Sequence, residues 1–229
     1  MKKSIHIAII LLLFTLFSFK TNERKRIIVI GDSISLGYGS ELKIMLENVF
    51  DYSTKNTNAD AGNLDFPVGP NAGDSRMVLN YLRTLKADKN FRADLMLLNC
   101  GLHDIKTDRN TIKKAIDSKQ YTLNLDTIFR LLRKMKQPVI WVNTTTVNDS
   151  IHNSKNVGFY RYKTDVIRYN QIADSLCLKY KIPVINLYSY TKTFPDSSYI
   201  DHVHYKPEYA KLQAAYIAGF IANIKMKKQ

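Results

Sequence analysis

A chain of 229 residues, 45 % of them apolar, is long enough for one well-packed domain and short for two. Two cysteines exclude a disulfide framework; Cys100, at a strand end, and Cys177, inside a helix, read as buried thiols. The net charge of +14 suits an anionic polysaccharide or envelope surface, while scattered basic residues without an aromatic-basic motif argue against nucleic acid.

The chain opens with "MKKSIHIAIILLLFTLFSFK" (1–20), two lysines ahead of an apolar run from Ile5 to Phe19. That run falls short of the roughly 20 residues that span a bilayer. It reads as a signal peptide, so the expected location is periplasmic, cell-surface or secreted. No small-x-small cleavage pattern follows, which leaves an uncleaved membrane anchor as the alternative. Three lysines and no acid lie in this leader, so +11 remains on the single domain expected over 21–229.

The first strand is read in "RIIVIGDS" (26–33), followed by a helix over Leu36–Val49 and a polar edge strand in "YSTKNTNA" (52–59). A helix over Met77–Lys86 leads to the strand "ADLMLLNCG" (93–101), and a helix over Leu123–Lys136 to "PVIWVNTTT" (138–146). A polar loop is expected across 144–162, then a helix over Tyr160–Lys181, the strand "IPVINLY" (182–188) and a last helix over Pro207–Ile224. The four inner strands are short, β-branched and apolar on both faces, as buried parallel strands are. Pro138 and Pro183 each start a strand directly after a helix. Strand–helix alternation of this kind builds a parallel α/β sheet with helices on both faces.

Such sheets bind ligands at the carboxyl ends of their strands, so chemistry is sought there. Ser33 stands two residues past the first strand, at the mouth of a helix whose free N–H groups face developing negative charge. It reads equally well as a helix N-cap. A serine nucleophile needs a base, and the base a carboxylate; "DHVH" offers Asp201 and His204 three residues apart before the last helix. His202 and His204 as plain surface histidines, with Asp201 capping a turn, is the alternative. After the second inner strand comes "GLHD", in which His103 reads as a base, a metal ligand or something else. His103, His202, His204 and Asp201 could together hold zinc, but that set would leave Ser33 without a purpose.

These residues make the chain resemble the SGNH (GDSL-type) hydrolase superfamily, from about Arg26 to Ile224. "GDSIS" is similar to the family's first block, "NAGDSRMVL" (71–79) to its second and "DHVH" to its last. The resemblance implies a three-layer α/β/α, flavodoxin-like, mostly parallel five-stranded sheet. It also implies Ser33, His204 and Asp201 as the catalytic triad, with Asp32 and Asp104 in support. The oxyanion hole would draw on the N–H groups of Ser33 and Gly73. The third block departs from the family: G-x-N-D is replaced by "GLHD", with His103 at the position of the asparagine donor. His103 is therefore expected to donate to the oxyanion, with Asp104 fixing its tautomer by accepting from the other ring nitrogen. The implied chemistry is carboxylic ester hydrolysis through an acyl-enzyme, with neither cofactor nor metal. The expected substrate is an O-acetylated glycan, with Phe159, Tyr160 and Tyr162 offering faces for sugar rings. A lipid-acting esterase, lysophospholipase or thioesterase is the other enzyme of the family; an inactive glycan-binding relative is the reading from another class.

Overall fold

The computed structural model describes residues 23–56, 66–155 and 157–224. The leader over 1–20 and the end of the expected edge strand lie outside the described residues. Among the described residues no helix is long and apolar enough to cross a membrane.

Five strands form one sheet: β1 (Lys25–Ile30), β2 (Phe50–Thr54), β3 (Leu95–Leu98), β5 (Val139–Val142) and β7 (Val184–Ile185). Their order is β2-β1-β3-β5-β7, and every pairing is parallel. β3 is buried along its whole length, which explains why "LMLL" shows no polar alternation. Between the strands run α1 (Ser33–Leu46), α2 (Ser75–Ala87), α3 (Ser118–Lys134) and α5 (Lys163–Tyr180), and α7 (Pro207–Asn223) follows the last strand. α1 packs on α7, and α3 packs on both α2 and α5, so helices cover the two faces of the sheet. Aromatic packing seals the second group: Phe129 of α3 meets Trp141 of β5 edge-on, with centroids 5.7 Å apart.

Three helices start earlier than apolar periodicity predicts, and one cause serves all three. Asp32, Asp74 and Asp117 accept from backbone N–H groups of Ile34, Met77 and Gln120 at 2.8–3.0 Å. A cap sets the start of a helix upstream of its first buried residue.

The expected loop over 144–162 is instead folded. It holds α4 (Asp149–Ser154) and β6 (Phe159–Tyr160), and β6 pairs antiparallel with β4 (Thr107–Asp108). Tyr160 therefore belongs to a strand and not to the start of α5. Beyond β7, α6 (Leu187–Thr191) and a 3₁₀ turn (Asp196–Ser198) lead to the "DHVH" turn. The small sheet fastens the segment after β5 onto the turn after β3, at the end of the main sheet where its loops converge.

Candidate active site

At the end of β1 the chain turns through Gly31 and Asp32 into α1, with Ser33 as its first residue. The cap is Asp32, whose Oδ1 accepts from Ile34 N at 3.0 Å. Ser33 is therefore not the N-cap, because the capping task is taken by its neighbour. Ser33 Oγ instead lies 2.8 Å from His204 Nε2. Burial pushes the Asp32 carboxyl up; the Ile34 N–H and the charges of Arg161 and His204 oppose the shift.

His204, the expected base, is held by a turn that wraps around one carboxylate. Asp201 Oδ1 accepts the backbone N–H groups of His202, Val203 (2.8 Å) and His204 (2.9 Å). Its Oδ2 sits 2.6 Å from His204 Nδ1. Burial pushes the Asp201 carboxyl up, but the His204 ring and the two N–H groups outweigh it and hold it well below the usual carboxylate range. With Nδ1–H donating to this carboxylate, Nε2 is left as the acceptor for the Ser33 hydroxyl. Ser33, His204 and Asp201 thus form one hydrogen-bonded chain across 171 residues of sequence.

Gly73 precedes the cap of α2 with φ +73. Its N–H donates to Asn71 Oδ1 at 3.0 Å, so this bond must be exchanged before Gly73 can serve an oxyanion. A Cβ at Gly73 would meet Pro67 Cβ at 2.6 Å and Met77 Sδ at 2.7 Å. Gly73→Ala is therefore expected to cost about 1–3 kcal/mol of stability from the backbone conformation. Urea unfolding beside the wild type checks it; an unchanged midpoint would mean the turn has relaxed away from this conformation.

His103 is buried, and its Nε2 has no hydrogen-bond partner. Burial, then the charges of Lys106, Arg161 and His204, push its pKa down to about 2, so the ring is neutral. Asp104 does not fix its tautomer as expected. Its carboxylate turns to α2, accepting from Ser75 N at 3.0 Å and from Ser75 Oγ. Asn124 Nδ2 of α3 donates in turn to Ser75 Oγ at 2.8 Å. Burial pushes Asp104 up to about 7 against those bonds from Ser75. Asp104 thus ties the His103 turn to the segment that carries Gly73, a supporting role exerted through Ser75.

Several site neighbours were not legible in the sequence. His152 of α4 packs on His202 with centroids 4.4 Å apart, bracing the "DHVH" turn. Arg161 is buried at 1 % exposure. The Phe159 ring lies under Lys106 (4.4 Å) and Arg161 (4.8 Å), and Tyr160 lies under Arg109 (4.5 Å). Each of these two rings thus packs against cations of the chain itself. Among the described residues no group of three or more His, Cys, Asp or Glu is arranged to hold a metal ion. No sequence pattern near Arg161 or His152 announces burial, since both follow from the β4–β6 pairing.

No family model and no curated protein matches the sequence. Solved structures do. A lipase/acylhydrolase from Enterococcus faecalis is similar at TM-score 0.64 and 17 % identity, over 90 % of this chain and 100 % of that one. An acetyl xylan esterase is similar at 0.62 and 15 %, over 87 % and 100 %. A member of the lipolytic G-D-S-L family from Veillonella parvula is similar at 0.58 and 16 %, over 87 % and 99 %. With its strand order, its flanking helices and this likeness over nearly all its length, the chain has the fold of the GDSL, or SGNH, hydrolases.

Proposed function

We propose that the protein is a serine carboxylic-ester hydrolase that works through an acyl-enzyme and removes O-acetyl groups from a carbohydrate. The observation that carries the reaction class is the Ser33–His204–Asp201 chain, with contacts of 2.8 and 2.6 Å at the carboxyl end of the sheet. Ser33 Oγ attacks the ester carbonyl while His204 Nε2 takes its proton, and the imidazolium is stabilised by the ionised Asp201. His204 then returns the proton to the departing alcohol oxygen. Water, deprotonated by the same nitrogen, releases the acid and restores Ser33. The negative oxygen of each tetrahedral intermediate is met by the N–H groups of Ser33 and Gly73 and by His103. Such donors are worth roughly 2.7–4 kcal/mol each. No step calls for a cofactor.

The carbohydrate part draws on the similar acetyl xylan esterase and on the basic surface, which favours an anionic glycan or envelope partner. Export belongs to the same reading and draws on the leader sequence. One observation favours a lipid-acting esterase instead: Phe66 and Val68, just before the Gly73 turn, and Ile200, beside Asp201, are exposed apolar side chains. A p-nitrophenyl ester series from acetate to decanoate separates the two. Acetate is expected to exceed octanoate by at least about tenfold in kcat/KM, which roughly 1–3 kcal/mol of differential binding supplies. A maximum at eight carbons or beyond would reverse the assignment, and hydrolysis of none of the esters would remove the reaction class.

A further inference from the structure

Arg161 is a full positive charge in a place that costs free energy to fill. Its side chain is among the largest buried ones, and a buried guanidinium is a poor stabilising device by itself. Its contacts include two hydrogen bonds and a ring. Its Nε donates to the Leu102 carbonyl at 3.1 Å, its backbone N–H to Asn153 Oδ1 at 3.1 Å, and its plane lies 4.8 Å from the Phe159 centroid. Leu102 is the residue directly before His103. The β4–β6 ladder, Thr107 with Tyr160 and Asp108 with Phe159, holds the two segments in register around this contact.

We propose that Arg161 is a positioning residue for His103, holding the Leu102–His103 turn by its carbonyl and placing a permanent positive charge behind the oxyanion site. This rests on the ester-hydrolase reading of the site. The charged and titratable groups facing His103 are Lys106 from its own turn, Arg161 from the segment after β6 and His204 from the turn before α7. Asp32, at the mouth of α1, faces Arg161 and His204. Both cations that lie against Phe159 also act on one imidazole. They disfavour its protonated form and leave a neutral ring whose single N–H can point at the oxyanion. The same charge is favourable to the negative oxygen of the transition state.

The test uses the full chain with Arg161→Met, which keeps the length and fills the buried space without charge, and Arg161→Lys, which keeps the charge. Turnover of p-nitrophenyl acetate is measured beside ¹⁵N ring signals of the histidines, with His103 assigned by their loss in His103→Asn. Arg161→Met is expected to lower kcat by about 10–10²-fold with KM within about twofold. In the same variant His103 is expected to take up its proton at a higher pH than in the wild type, burial and Lys106 still holding it below the ordinary histidine value. Arg161→Lys is expected to keep His103 neutral and recover at least a third of kcat. A folded Arg161→Met with kcat within twofold and unchanged His103 signals would overturn the proposal. Should Arg161→Met not fold, a folded Arg161→Lys in which His103 takes up its proton at a higher pH than in the wild type would overturn it equally. The ring signals need no turnover. A wild type inert to every ester, with His103 titrating in Arg161→Met, would remove the hydrolase reading and leave the positioning role standing.

Discussion

Ser33→Ala is expected to lower ester hydrolysis by at least about 10⁴-fold while leaving the fold unchanged. The hydroxyl bonds His204 Nε2, and the cap of α1 is supplied by Asp32, so its loss removes the proposed nucleophile and leaves the helix start intact. His204→Ala is expected to fall within about tenfold of it, because members of such a unit fail together. The measurement is kcat/KM on p-nitrophenyl acetate beside the melting temperature of each variant. Retention of more than a few per cent of turnover by Ser33→Ala would exclude the acyl-enzyme.

The second large effect concerns His103. His103→Ala is expected to lower kcat by about 10²–10³ with little change in KM, since the bond to the oxyanion strengthens only in the transition state. His103→Asn restores an amide donor at this position and is expected to keep substantial activity. A general base here would make both variants equally inactive. The acid side of stability gives an independent check. The folded ring has its pKa pushed to about 2, far below the ordinary histidine value, so the unfolded chain takes the proton first. The stability contributed by keeping this ring neutral is fully present above about pH 6.5 and is lost as pH falls from there toward 2. His103→Asn is therefore expected to flatten the fall in urea-unfolding free energy between pH 7 and pH 4. A slope equal to that of the wild type would mean that the ring is hydrated and charged in the native state.

The alternating apolar runs determined, without any coordinates, a parallel α/β sheet with its chemistry at the carboxyl ends of the strands. Buried strands and helix starts are written in neighbouring residues: "IIVI" and "LMLL" are apolar on both faces, and "GDSIS" and "DHVH" each carry a candidate site residue beside its own backbone support. Only the tertiary structure decided which polar group meets which. Asp104, the residue after His103 and its expected partner, turns to Ser75 because α2 brings it two donors, and Asn124 of α3 donates in turn to the Ser75 hydroxyl. Gly73 gives its N–H to Asn71, and Asp32 rather than Ser33 caps α1. The segment over 144–162, polar enough to pass for a surface loop, folds into α4 and β6, burying Arg161 against Leu102 and His152 against His202. Periodicity and capping act over a few residues and leave their mark in local order. A buried hydrogen bond or charge is settled by whichever partner long-range packing delivers once water is gone, and no local pattern records that choice.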